Sequence, residues 1–336
     1  MFSKKQVTIV INTLSGGGAQ RVCVNVANGL INVGWQVDLV VLNYNNEAFL
    51  RHVSKKINLI QLNVNHTRYA SYSLLKYVYQ KKPNVFLVFN YELTVLLILL
   101  RSLLKFKYKI ISRNINTLSK KYEEFKQQNF WVKNVVGTLI DNFYCKADHV
   151  INQCYAMHED IVKLHPELKN NSSVIYNPIT NYILDYANSH DLNQIKKKNY
   201  LLCVGRLEKQ KAFHYAIEGF AGIAQKFPDL RLKILGEGSL KQELEQTSKD
   251  YSIADRVDFE GFQKNIIPYY LYAKATVLTS LNEGFPNVLI ESIILGTPVV
   301  SFDCPSGPEE LIKEGINGYL VKHKNVDDLK KKLLTI

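Results

Sequence analysis

Short apolar runs of four to six residues recur along this chain, separated by stretches in which apolar positions return at helical spacing. Runs without alternation suit strands covered on both faces, and the intervening periodicity suits amphipathic helices. The pattern predicts strands at Gln6–Ile11, Val37–Leu42, Asn58–Leu62, Val85–Phe89, Tyr108–Ser112, His149–Asn152 and Ser173–Tyr176. It predicts a second series at Asn199–Val204, Arg231–Leu235, Val257–Glu260, Ala275–Thr279 and Pro298–Phe302. Helices are expected in the gaps, including Phe213–Lys226, Leu240–Lys249, Pro286–Leu295 and Val326–Leu333. Such alternation of strand and helix implies parallel α/β sheets. Between Asn177 and Lys198 the pattern lapses into Asn, Asp and Ser and ends on three consecutive lysines. That break predicts a first domain over 1–178, a linker over 179–198 and a second domain over 199–336.

With 336 residues and 46% hydrophobic content, the chain can bury two cores of ordinary size. Cys23, Cys145, Cys154, Cys203 and Cys304 are scattered without C-x-x-C spacing, which suggests neither a disulfide framework nor a structural zinc site and fits a reducing cytosol. The apolar run Val7–Ile11 reads as a first buried strand rather than a signal peptide. Val95–Leu104 carries Arg101 and is too short to span a bilayer, so no transmembrane helix is expected. The net charge of +12 is uneven: Met1–Thr180 holds 22 lysines and arginines against 10 acids, while the remainder balances. A basic first half implies an anionic partner, and no finger, RNP segment or basic zipper points to nucleic acid.

The most informative residues are Glu283 and Glu291, separated by seven others in Leu281-Asn-Glu-Gly-Phe-Pro-Asn-Val-Leu-Ile-Glu291. A buried strand ends near Ser280, Gly284 permits close backbone approach, and Pro286 suits a first helical position. Glu283 therefore precedes a helix and Glu291 lies within it. Free N–H groups and the positive dipole end at that helix start favour an anionic, hydroxyl-rich ligand, and each carboxylate can accept paired bonds from vicinal hydroxyls. Upstream, Val204-Gly-Arg-Leu-Glu-Lys-Gln-Lys211 carries two cations between a strand and a helix start. A bidentate guanidinium at Arg206 and a point charge at Lys211 suit a diphosphate.

Together these segments resemble the E-x7-E motif and the V-G-R-L-x-x-x-K segment of the retaining GT-B glycosyltransferases of family 4. Ile175-Tyr-Asn-Pro178, Gly296-Thr-Pro-Val-Val300, Gly315-Ile-Asn-Gly-Tyr-Leu-Val321 and Asp303-Cys-Pro-Ser-Gly-Pro-Glu-Glu310 match in the same order, the last resembling segments of enzymes that build bacterial surface polysaccharides. The resemblance implies two Rossmann-like domains with parallel sheets facing a central cleft. It implies that Glu283, Arg206 and Lys211 act on a nucleotide sugar, expected to be UDP-linked, with Glu283 on the sugar and Glu291 on the ribose. Gly205, Gly236, Gly284, Phe285, Pro286, Asn287, Ser306 and Gly307 are counted with the donor-binding residues; Gly236-Glu-Gly238 alone is too weak a signal for a dinucleotide site.

In the first domain, Thr13-Leu-Ser-Gly-Gly-Gly-Ala-Gln-Arg21 resembles the family's G-G-A-[EQ]-R segment, and Gly16, Gly17 and Gly18 are expected to offer backbone N–H groups to phosphate or acceptor. No Lys-Ser or Lys-Thr follows, so it is not a Walker loop. Where many relatives carry a histidine after the fifth strand, this chain has Asn114, which hydrogen-bonds but cannot exchange protons. His66, His149, His158, His165, His190, His214 and His323 sit in no recognisable motif. No D-x-D motif is present, so metal-independent chemistry without a cofactor is expected. The implied activity is retaining transfer of a hexose or N-acetylhexosamine to a lipid-linked or glycan acceptor in surface polysaccharide synthesis (capsule, O-antigen or lipopolysaccharide). Peripheral contact with the inner face of the plasma membrane is expected through Leu103–Lys109 and Lys120–Lys133, where bases interleave with Phe125, Phe130 and Trp131. The alternatives are an inactive GT-B scaffold subunit and a GT-B sugar-nucleotide epimerase.

Overall fold

The computed structural model describes residues 5–15, 17–43, 50–126 and 132–336. The chain divides into two compact units, Met1–Pro178 and Ile179–Ile336. In the first, seven strands run parallel: β1 Gln6–Ile11, β2 Gln36–Val41, β3 Asn58–Gln61, β4 Val85–Val88, β5 Lys109–Arg113, β6 His149–Asn152 and β7 Ser172–Val174. Their order is β3-β2-β1-β4-β5-β6-β7. The second unit holds β8 Tyr200–Val204, β9 Arg231–Leu235, β10 Val257–Gly261, β11 Ala275–Leu278, β12 Val299–Phe302 and β13 Gly318–Val321, ordered β10-β9-β8-β11-β12-β13. These are the two Rossmann-like α/β sheets expected from the sequence.

The period of two explains why each sheet is buried on both sides. Val10, Val40, Phe86 and Ile110 pack into one core layer, whereas Ile9, Ile11, Leu39, Val41 and Leu87 pack into the opposite one. In the second unit Leu201, Cys203, Ile234, Val277 and Phe302 face one layer, and Tyr200, Leu202 and Leu235 face the other. Each strand order reverses once, between β1 and β4 and between β8 and β11. Loops leaving the carboxyl ends on either side of such a reversal diverge and open a crevice, which is where ligands bind in this architecture.

Three elements differ from the sequence pattern. β13 lies inside a turn-rich segment, and the helix Ile267–Tyr272 is too short to show a period. The stretch 179–198, read as a linker, contains the helix Asn181–Ser189, whose fully buried Ile183 joins the second unit's core with Tyr200 and Tyr270. Lys197 fastens the same stretch, its Nζ donating to Leu271 O at 2.8 Å, Gly296 O at 3.2 Å and Thr297 Oγ1 at 2.6 Å. Ile179, Tyr186, Leu192 and Ile195 pack beside Ile183 on the same core, but their partners lie far along the chain, so the polar composition of the stretch masks the anchor. Among the described residues no helix is long and apolar enough to cross a membrane.

Candidate functional site

The second unit's crevice is built where β8, β9, β11 and β12 end. After β8, Gly205 turns away with φ of 158°, and a Cβ there would stand 3.0 Å from the Lys211 Cε. Gly236, ending β9 with φ of 130°, brings its backbone so near that a Cβ would fall 1.9 Å from Gly205 O. Only glycine admits this approach. The two loops are then stitched by Leu207 N–H to Glu237 O at 2.9 Å and by Ser239, which donates N–H and Oγ–H to the Glu208 carboxylate at 3.0 and 2.9 Å. Those two donors hold the Glu208 carboxyl below the ordinary carboxylate range.

The loop after β11 is laced to the one after β8. Thr279 Oγ1 donates to the carbonyls of Lys211 and Ala212 at 3.1 Å each, Leu281 N–H donates to Gln210 O at 2.8 Å, and Gln210 Nε2 donates to Asn282 O at 2.9 Å. The result is a side-chain meeting 72 residues apart in sequence: Lys211 Nζ lies 2.6 Å from Glu283 Oε1. Ser280 Oγ donates to the same oxygen at 2.6 Å. Glu283 is only 8% exposed, and that ammonium and hydroxyl are the partners its Oε1 meets there. Among the described residues no hydrogen bond reaches its second oxygen, Oε2. Ser306, following β12, donates its hydroxyl to the Glu283 carbonyl. Gly307 lies so close to Pro286 that a Cβ would stand 2.5 Å from its Cδ.

Gly284, Phe285 and Pro286 are buried and lead into the helix Asn287–Ile294, with Pro286 as the residue capping it rather than its first member. Glu291 is buried in the second turn, where Tyr270 Oη donates to its Oε2 at 3.0 Å. Arg206 is exposed, and among the described residues it forms no ion pair. Thus Lys211, Glu283 and Ser306 meet directly, Arg206 stands on the same loop as Lys211, and Glu291 is held separately by Tyr270. Ser280 and Tyr270 were not singled out from sequence: a serine ending a buried strand and a tyrosine in a six-residue helix carry no local signal. The Cys304 thiol, pushed up to about 12 by burial and then by Glu283, is protonated and is no nucleophile.

In the first unit Gly17 and Gly18 open the helix Gly18–Asn32 directly after the β1 loop, with Arg21 N–H bonded to Gly17 O at 3.1 Å; Gly16 lies outside the described residues. Asn114 does follow β5, but it is buried and spent on structure. Its Nδ2 donates to Asn152 Oδ1 at 2.7 Å, and its Oδ1 accepts from Tyr144. Beside it, buried Arg113 donates to Ile175 O and Asn177 Oδ1 at 3.0 Å each, and burial lowers its pKa to about 10. The expected membrane surface is corrected in part. Phe125 is 5% exposed and belongs to the core, and Lys120 and Lys121 are paired with Glu123, Glu92 and Glu124. Phe130 and Trp131 lie outside the described residues. Leu103, 76% exposed, and Leu104 do face solvent beside exposed Lys105, Lys107 and Lys109.

Comparison with known proteins agrees with this architecture. Residues 186–336 match the family described as glycosyl transferases group 1, and residues 16–180 match glycosyltransferase family 4. An uncharacterized glycosyltransferase of Haemophilus influenzae is 29% identical over 98% of this chain and 89% of its own. An N-acetylgalactosamine-N,N'-diacetylbacillosaminyl-diphospho-undecaprenol 4-alpha-N-acetylgalactosaminyltransferase of Campylobacter jejuni is 32% identical over 61% of this chain and 56% of its own. The solved structure of HepE from Anabaena with UDP-glucose has the same fold, with a TM-score of 0.77, 18% identity and coverage of 98% and 89% of the two chains.

Proposed function

This chain belongs to the glycosyltransferases of group 1 and family 4, and from that premise we propose that it transfers a hexose or N-acetylhexosamine from a UDP-linked donor, with retention, to a lipid-linked or glycan acceptor in surface polysaccharide synthesis. The observation that carries the reading is the largely buried Lys211–Glu283 pair at the β8/β11 reversal, with Arg206 exposed on the same loop. An ammonium locked to a carboxylate, beside an exposed guanidinium, gives the two charges a sugar diphosphate requires. Arg206 and Lys211 offset negative charge growing on the departing diphosphate, while Glu283 Oε2 accepts from sugar hydroxyls. Glu291, oriented by Tyr270, accepts from the ribose. Because Lys211 and Glu283 fix one another's rotamers, the donor meets groups already in place, and little reorganisation remains for the transition state. The charge work assigned to these cations makes the chemistry metal-independent in this reading.

The acceptor reading rests on the basic first unit and on the Campylobacter relative, whose name specifies a diphospho-undecaprenol acceptor. Exposed Leu103 and Leu104 beside Lys105, Lys107 and Lys109 fit contact with the inner face of an anionic bilayer. The test is a panel of UDP-sugars offered with and without undecaprenyl-diphosphate-linked glycans. Release of UDP that depends on the acceptor, with an α-linked product from an α-linked donor by NMR, supports the proposal. Turnover of donor without acceptor, or no donor binding, overturns it. Arg206→Ala should lower kcat at least about 10²-fold, since one such donor to developing charge contributes roughly 2.7–4 kcal/mol. Its exposed position predicts an unchanged unfolding midpoint, so an unaltered rate would remove Arg206 from the mechanism.

A further inference from the structure

At the amino ends of β6 and β7 two short turns approach one another. Tyr144–Lys146 precedes β6 and contributes Cys145, and Pro166–Leu168 precedes β7 and contributes Glu167, with His165 immediately before it. One ligand atom from each of Cys145, His165 and Glu167 lies within 4.8 Å of the other two. From this juxtaposition we propose a binding site for a thiophilic divalent cation of the Zn(II) class, held by the Cys145 thiolate, a His165 ring nitrogen and a Glu167 carboxylate oxygen, with water as fourth ligand.

The donor set is the first reason. Sulfur, imidazole and carboxylate together suit Zn(II) and Co(II) and do not suit Mg(II) or Ca(II), which take oxygen. The second reason is that His165 is 4% exposed, so its ring is held by packing, and it turns Nδ1 toward Glu167. Distances decide whether the site can close. Ligand bonds of about 2.0–2.3 Å place tetrahedral donor atoms roughly 3.3–3.8 Å apart. His165 Nδ1 and Glu167 Oε1 are already 3.6 Å apart, so the remaining adjustment is about 1 Å. Glu167, with 55% of its side chain exposed, and half-buried Cys145 have the freedom to make it, while the buried histidine stays fixed. Binding releases the thiol proton to solvent and gives the Cys145 thiolate and the Glu167 carboxylate one metal bond each. Being at the amino ends of its strands, the site clamps two turns of the first unit and stands apart from the loops that hold Gly17, Gly18 and Asn114 at the carboxyl ends.

The spacing explains why sequence gave no warning: Cys145 and His165 are separated by a strand and a helix, with no repeated motif. The experiment uses the reduced, EDTA-stripped full chain titrated with Co(II) alone, read by absorbance. The other four thiols are buried, so the expected outcome is one Co(II) per chain with a thiolate-to-cobalt charge-transfer band and visible ligand-field bands of tetrahedral intensity. Cys145→Ser should abolish the charge-transfer band, and Glu167→Gln should weaken binding at least about 10-fold. Zn(II) should displace the cobalt and raise the unfolding midpoint of the wild type but not of Cys145→Ser. Absence of the band in the wild type, its persistence in Cys145→Ser, or unaltered affinity in Glu167→Gln overturns the proposal. The exposed Glu167 variant keeps the test decisive if Cys145→Ser fails to fold.

Discussion

Replacing Lys211 with methionine keeps most of the buried stem and removes the ammonium 2.6 Å from Glu283 Oε1. The carboxylate, with 9% of its side chain exposed, would retain only the Ser280 hydroxyl on that oxygen. Breaking one side of a buried pair costs about 3–5 kcal/mol, because the remaining charge keeps its desolvation and loses its partner. Lys211 itself is 16% exposed, which places the expectation at the lower end, about 3 kcal/mol. With a urea m-value of about 1.5–2 kcal/mol/M, the midpoint should fall by roughly 1.5–2 M. Glu283→Gln should also destabilise, whereas Lys211→Met with Glu283→Gln removes both charges and should cost at least about 2 kcal/mol less than the sum of the singles. The two units need not unfold together, and the chain provides a way to tell them apart. Both tryptophans, Trp35 and Trp131, fall in the first unit's sequence. Tryptophan fluorescence therefore follows the first unit, and circular dichroism follows both. The lowered transition should appear in the dichroism. A Lys211→Met protein within about 1 kcal/mol of wild type, or strictly additive variants, would refute the claim that this pair organises the site.

Two further outcomes follow from the same unit. Gly236→Ala forces a Cβ toward Gly205 O, 1.9 Å away, at a φ of 130°, and should cost more than about 3 kcal/mol in urea unfolding while impairing UDP binding measured by calorimetry. Asp258 accepts both guanidinium N–H groups of Arg231, which hold its carboxyl below the ordinary range. A depressed carboxyl contributes stability above its unfolded value near 3.8, and that contribution is lost as pH falls through the folded value. Since the pair is partly exposed, 26% for the Asp258 side chain and 43% for Arg231, Asp258→Asn should cost only about 0.5–1 kcal/mol at pH 7, and the difference from wild type should shrink toward zero as pH falls below about 3. A difference that persists unchanged in acid would show that charge is not its source.

The sequence by itself determined every strand but β13, both sheets and the order of the motifs, because burial on both faces leaves uninterrupted apolar runs and because glycine is required where loops cross closely. Glu283 before the helix and Glu291 within it were equally legible, as was the switch from Val204 to Gly205 at the end of β8. Only the tertiary structure decided who partners whom. Nothing local pairs Lys211 with Glu283 across 72 positions, or marks Asn114 as consumed by Tyr144 and Asn152. Phe125 in the core and Ile183 anchoring the supposed linker follow the same logic. Periodicity records which face of an element is buried, while pairing depends on loops that meet only after the sheet order has reversed.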